Sequence, residues 1–237
     1  MNEPLPIVVA NLKANETWDQ MTSWLDEVGS KASKFSGTII VCVTFPFLVS
    51  ASQKIRSAAL RIKLGSQDIS KFNQGAYTGE VAASQIANLC QYAIVGHSER
   101  RKYLGEIDED VIEKVKLLLA AKITPILCIS DFRQLDTYIA KGQVIMENTD
   151  QIIFVYEPPS AISGGGQFKP DSLQNANEQA GKIKERIGRK IITIYGGSIN
   201  EENARSFFRQ ENIDGGLVGQ ASLDPQKFIQ ILEAVNR

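Results

Sequence analysis

Histidine is almost missing from this sequence. His97 is the only one among 237 residues, whereas a metal site needs several imidazole, thiolate or carboxylate ligands held together. No metal centre is expected. Cysteine is scarce as well: Cys42, Cys90 and Cys128 are odd in number and none stands in CxxC spacing, which excludes zinc-ribbon motifs and a paired disulfide framework. Two of them fall in β-rich apolar runs, where cysteine packs as a small hydrophobe. The expectation is a reducing, cytoplasmic setting without disulfides.

Charge of one sign is missing too. Lys and Arg number 26 against 27 Asp and Glu, a net charge of −1 with a pI near 6.0, so no broad positive field exists to draw nucleic acid. Long hydrophobic runs are absent. The longest, Ile39 to Val49, is broken by Thr44 and Pro46 and falls short of the roughly 20 residues that span a bilayer; no membrane partner is expected. The opening "MNEPLPIVVANLKAN" carries Glu3 and two prolines where a signal peptide would need positive charge and unbroken apolar residues, and reads as a first strand. There is no GxGxxG behind a strand to bind a dinucleotide, no evident repeat and no low-complexity tract.

What is there is globular: 43% hydrophobic and 22% charged residues can bury a full core. Eight short β-branched runs, "IVVAN", "TIIVCV", "LRIKLGS", "YAIVG", "TPILCIS", "QIIFVYE", "KIITIYGG" and "GGLVG", each end in polar or glycine residues. Their unbroken apolar character suits parallel strands covered on both faces. Helical periodicity lies between them, over 16–32, 47–58, 80–89, 108–121, 171–187, 201–208 and 225–235. The stretch from Asp131 to Asp150 is expected to hold at most two or three helical turns. Strand and helix alternating eight times in a chain near the typical length of about 250 residues predict an α/β fold, a single-domain (β/α)8 barrel over residues 1–237. A doubly wound sheet is the alternative.

In such a barrel, chemistry gathers at the C-terminal ends of the strands. Asn11 and Lys13 end strand one, His97 strand four, Glu157 strand six, Gly196–Ser198 strand seven, and Gly219–Ser222 strand eight. The small residues after strands seven and eight free backbone N–H groups for an anion such as phosphate; alone, each is equally a tight turn. Glu157, locked by Pro158 and Pro159 behind an apolar run, is expected to gain basicity from desolvation and to suit proton abstraction from carbon. A carboxylate that merely caps the strand end is the other reading. The following "PPSAISGGGQF" (158–168) has rigid prolines at one end and three glycines at the other, as a hinged lid would. His97 taken alone reads first as a satisfied structural imidazole, as most histidines are.

"NLKAN", "GAYTGE", "VGHSERR", "YEP", "YGGSI" and "GGLVGQASL", in this order over nearly the whole chain, resemble the triosephosphate isomerases, whose fold is the TIM barrel. The resemblance implies interconversion of dihydroxyacetone phosphate and D-glyceraldehyde 3-phosphate, without cofactor or metal. It implies that Glu157 is the base and His97 the electrophile, a neutral imidazole kept so by a helix that Ser98 would cap. Lys13 would supply positive charge and Asn11 a hydrogen bond to substrate oxygens. Glu99 would pair with Lys13 or relay a proton, and Cys128 would lie buried beside the base. Ser163 in the lid, Ser198, Gly219 and Gln220 would grip phosphate, chiefly through backbone N–H groups. Thr78 matches a loop that enters a neighbouring subunit, implying a homo-oligomer, with Glu80 and Arg100 candidates for an ion pair behind the catalytic loop.

Three features depart from the family's pattern. The lid lacks the usual tryptophan hinge and "IGTG" tip, and Ser163 and Gln220 stand where glycines let backbone approach phosphate. The shortened 131–150 region leaves dimer and tetramer both open. Three other functions compete with the isomerase. A Schiff-base aldolase has only Lys13 near the rim, and a metal-dependent epimerase lacks ligands. A barrel that binds phosphate without catalysis would have little reason to keep Asn11, Lys13, His97 and Glu157 together.

Overall fold

The computed structural model describes residues 3–161 and 169–236. Its elements run β1 (Ile7–Asn11), α1 (Trp18–Ala32), β2 (Thr38–Val43), α2 (Leu48–Ser57), β3 (Lys63–Ser66), α3 (Ala83–Ile86), β4 (Tyr92–Val95), α4 (Ser98–Leu104), α5 (Asp108–Ala120), β5 (Thr124–Ile129), α6 (Phe132–Lys141), α7 (Gln143–Glu147), β6 (Ile153–Tyr156), α8 (Leu173–Ile187), β7 (Ile192–Tyr195), α9 (Ala204–Phe208), β8 (Gly215–Val218) and α10 (Pro225–Val235). The eight strands are all parallel and close into a barrel in chain order. This is the (β/α)8 fold, not the doubly wound sheet.

Strand alternation sorts the apolar residues into two layers. One row, with Ile7, Val9, Cys42, Ile94, Ile126, Cys128, Ile153, Val155 and Leu217, fills the barrel. The other, with Val8, Ala10, Val41, Ala93, Val95, Leu127 and Phe154, packs outward under the helices. Both faces are dry, which is why the strands read as continuous apolar runs rather than as an alternation. The seam pairs Ile7 of β1 with Gly215 of β8. Gly215 has φ +153, and a Cβ there would meet the Ile7 carbonyl oxygen at 1.9 Å, so closure at this point requires glycine.

The helices follow their local signals. Thr17 and Gln20 form a capping box that starts α1, which buries Met21, Trp24, Leu25, Val28 and Ala32 on one face. Helix α5 opens on Asp108, Glu109 and Asp110 and buries Val111, Val115 and Leu118. Three segments differ from the sequence expectation. The 80–89 pattern yields only the short α3, because Val81 is tied into the preceding loop by the Ser70 N–H and so is not available to a helix. The 201–208 pattern starts late, because Asn200 and Asn203 exchange side-chain to backbone hydrogen bonds in a turn. In the 131–150 region the Asp131 carboxylate accepts the Arg133 N–H and starts α6, and α7 follows directly, so more of it is helical than expected. Cys42, Cys90 and Cys128 are buried and free.

Candidate active site

Continuing the inward row one step beyond the apolar layer changes its chemistry. After Val9 comes Asn11, after Cys128 comes Ser130, and after Val155 comes Glu157, so these inward rows turn polar at the C-terminal end of the barrel. A cavity of about 580 Å³ opens there, lined among others by Asn11, Lys13, His97, Glu157, Ala161, Gly196, Gly197, Ser198, Gly219 and Gln220. The residues expected on five separate strand ends therefore share one space. Ser163 lies outside the described residues, as does most of the expected lid, 162–168.

His97 reaches the cavity through a turn. Gly96 adopts φ +71, redirecting the chain off β4, and His97 itself becomes the residue that caps α4. Its Nδ1 accepts the Glu99 N–H at 3.2 Å. The expected cap was Ser98, but Ser98 is the first helical residue and spends its donors elsewhere. Because Nδ1 accepts, it carries no proton, and the neutral ring presents Nε2–H to the cavity. Nε2 lies 2.9 Å from Glu157 Oε1 and 3.3 Å from the Asn11 amide nitrogen.

Glu157 is 1% exposed and fully engaged. Its carboxylate accepts the Ser98 N–H at 2.9 Å, the Ser98 hydroxyl at 3.2 Å and the Ser130 hydroxyl at 3.4 Å. Burial pushes its pKa up, but His97 and the two bonds from Ser98 push it down and prevail. The expected gain in basicity is thus absent from this resting geometry, because donors surround the group where an apolar wall was expected. His97 shows the mirror effect. Burial lowers its pKa, the Glu157 carboxylate and then Glu99 raise it, Lys13 lowers it, and the net direction is up. Taken off Glu157, the ring would lose the larger of the two influences that favour its charge.

Lys13 occupies left-handed backbone at φ +52, unusual for a side-chain-bearing residue and of order 1–3 kcal/mol in cost. Three contacts hold it there. Its N–H donates to Asn11 Oδ1 at 3.2 Å, its carbonyl accepts from Gln67 Nε2 at 2.8 Å, and its ammonium pairs with Glu99. The Lys13–Glu99 pair matches the expectation. A Cβ on Gly219 would stand 3.5 Å from Lys13 Cε, so β8 ends close against the lysine.

Ser198 donates its hydroxyl to the Ala161 carbonyl at 2.7 Å, tying the turn after β7 to the loop after β6. Gly219 and Gln220 enter a 3-10 turn, Gln220–Leu223. Cys128 is wholly buried, and its thiol pKa is raised by burial first and Glu157 second, consistent with a place beside the base. Thr78 is exposed on the loop after β3. The expected Glu80–Arg100 pair is not formed among the described residues. Arg100 turns instead to Asp68 at 2.7 Å and to Glu106 at 3.3 Å, since those carboxylates lie within its reach. Sequence reasoning missed Ser130 and Gln67. Both lie two residues beyond an inward strand position, Cys128 and Gly65, and strand parity alone would have found them.

The triosephosphate isomerase family model matches residues 6–235. The chain belongs to the triosephosphate isomerase family. A triosephosphate isomerase from Alkalilimnicola ehrlichii is 33% identical, covering 97% of this chain and 98% of its own length. One from Thermus thermophilus is 34% identical, covering 95% and 97%, and one from Endomicrobium trichonymphae is 33% identical, covering 96% and 98%. The family is one of isomerases, so Asn11, Lys13, His97 and Glu157 converge in a chain whose relatives carry an enzyme's name. No described helix is long and apolar enough to cross a membrane.

Proposed function

We propose that the whole chain, 1–237, is one catalytic domain that interconverts dihydroxyacetone phosphate and D-glyceraldehyde 3-phosphate through an enediolate, in glycolysis and gluconeogenesis in the cytoplasm. The observation that carries the reading is the approach of Glu157 and His97 Nε2 to 2.9 Å in a cavity that also holds Lys13 and Asn11. A carboxylate base and a neutral N–H donor side by side are what moving a proton between adjacent carbons requires.

Glu157 removes a proton from one substrate carbon and returns it to the neighbouring one. His97 Nε2–H polarises the carbonyl and moves the proton between the two oxygens, while Lys13 and the Asn11 amide steady the charge that develops on them. For Glu157 to reach carbon it must release the Ser98 and His97 contacts, and substrate entry supplies the reason by displacing the ring's partner. Ser198, Gly219, Gln220 and Ser163 hold the phosphate, mainly through backbone N–H groups, and the 158–168 loop closes over it to exclude water.

The active form is a homo-oligomer, dimer before tetramer. Phe72 and Tyr77 stack at 4.2 Å between ring centroids on the exposed loop that carries Thr78, and a second cavity of about 410 Å³ lies behind Lys13, lined by Phe45, Pro46, Tyr103 and Leu104 among others. A knob and an apolar socket on the same chain suit a two-fold pairing. Light scattering is expected to give a multiple of the chain mass, and a monomer would count against this.

A coupled isomerase assay on the purified protein tests the activity. Glu157→Gln should abolish most of it, and His97→Gln should lower turnover by about 10² or more. A wild-type rate no higher than that of Glu157→Gln would remove the proposal.

A further inference from the structure

Two peptide planes meet at Gly96, one held by a buried side chain and the other by a half-buried one. The Gly96 N–H donates to Glu106 Oε2 at 3.1 Å, and the Gly96 carbonyl accepts from Arg101 Nε at 3.0 Å. The angles φ and ψ of Gly96 are the two rotations between these planes, and glycine by itself resists neither. With both planes gripped, the left-handed turn at φ +71 has no free rotation left. His97 hangs from the second plane.

The gripping groups are themselves braced. Glu106 Oε1 accepts from Arg100 Nε at 3.3 Å and from the Lys114 ammonium, and Lys114 reaches both oxygens of Asp68, at 2.7 and 2.9 Å. Arg101 Nη1 donates to Asp108 at 2.7 Å and Nη2 to the Tyr138 hydroxyl. A buried network whose members are all satisfied is rigid. Neither Arg101 nor Glu106 lines the cavity that holds Glu157 and His97, so any influence they have on chemistry passes through the backbone of His97.

We propose that Arg101 and Glu106 are positioning residues that set the aim of His97 by clamping the peptide planes on either side of Gly96. The inference rests on the reading of His97 as electrophile given above. A misplacement near 1 Å costs roughly a hundredfold in rate, while substrate binding, carried by Lys13 and the phosphate turns, is left alone.

His97 is the only histidine, so nitrogen NMR of the full-length protein labelled at histidine reports one imidazole without ambiguity. In Arg101→Lys and Glu106→Gln the ring resonances are expected to shift, with kcat falling about ten- to hundredfold and KM staying within about twofold. Tyr138→Phe removes one brace from Arg101 and keeps the packing. It should move the resonances in the same direction as Arg101→Lys with a smaller loss of kcat, and it decides the matter if the other two variants do not fold. Unshifted His97 resonances with wild-type kcat in folded variants would overturn the proposal, as would a rise in KM with kcat unchanged. If the wild type lacked isomerase activity, the function above would fail, while the ring resonances would still test the clamp.

Discussion

Ser98 gives both of its donors to Glu157: the backbone N–H at 2.9 Å and the hydroxyl at 3.2 Å. The residue next to the candidate electrophile thus holds the candidate base at rest. Both bonds favour the carboxylate over the acid and help carry the Glu157 pKa below its ordinary value despite complete burial. Ser98→Ala removes the hydroxyl bond and leaves the N–H, so the pKa should rise part of the way back. The acid limb of kcat/KM against pH is then expected to move to higher pH, and a limb that stays in place would show that the hydroxyl does not set the base.

The same contact governs the ring. Glu157 is the larger of the influences that raise the His97 pKa against burial, and neutralising it removes that push. Glu157→Gln should therefore lower the His97 pKa relative to wild type, which a histidine NMR titration would read from a single signal. A pKa that rises or holds would mean that some other group supports the charge.

Gln67 bridges two strand ends, donating to the Lys13 carbonyl at 2.8 Å and to the Cys42 carbonyl at 3.0 Å. Leucine in its place would leave both without this donor and release the left-handed Lys13. Gln67→Leu is expected to lower kcat/KM by about tenfold, the kinetic equivalent of ~1.4 kcal/mol within the range for a buried polar group left unpaired. Steady-state kinetics would check this, with circular dichroism to establish that the variant is folded.

Asp68 is a half-buried carboxyl whose pKa is pushed up to about 6, burial outweighing Lys114 and Arg100. A folded-state pKa above the unfolded one means that the native protein holds this proton where the unfolded chain has lost it. Its contribution to stability is therefore largest at low pH and falls as pH rises through about 6. The melting temperature of wild type relative to Asp68→Asn should decline between about pH 4 and 6, the range between the ordinary aspartate value and the raised one. A difference that grows over this range would reverse the sign.

The rim residues were legible because strand ends are local. Asn11, His97 and Glu157 each follow an apolar run that the sequence displays, and parallel strands in a barrel deliver such positions to one face. The direction of the Glu157 pKa was not legible. It depends on His97 and then Ser98, which reach the carboxylate from the end of β4 and carry no mark of that role in their own neighbourhoods. The resemblance pairs Arg100 with Glu80, yet Arg100 goes to Asp68 and Glu106, a choice made by which carboxylates the fold brings within reach.

By itself the sequence determined the eightfold alternation, the two dry faces of each strand, and the polar or glycine residue at each strand's end, because these rest on periodicity and turn chemistry within a few residues. Tertiary structure decided the rest: closure at Gly215 against Ile7, the left-handed seat of Lys13, and the grip on the peptides around Gly96. The first two depend on groups far apart in the chain whose separation only the closed barrel fixes, and the third on Arg101 and Glu106, near Gly96 in sequence but braced by Tyr138 and Lys114 from other elements. The charge state of His97 belongs with them, since an imidazole's proton is placed by whatever faces its two nitrogens, here a helix N–H on one and a carboxylate from β6 on the other.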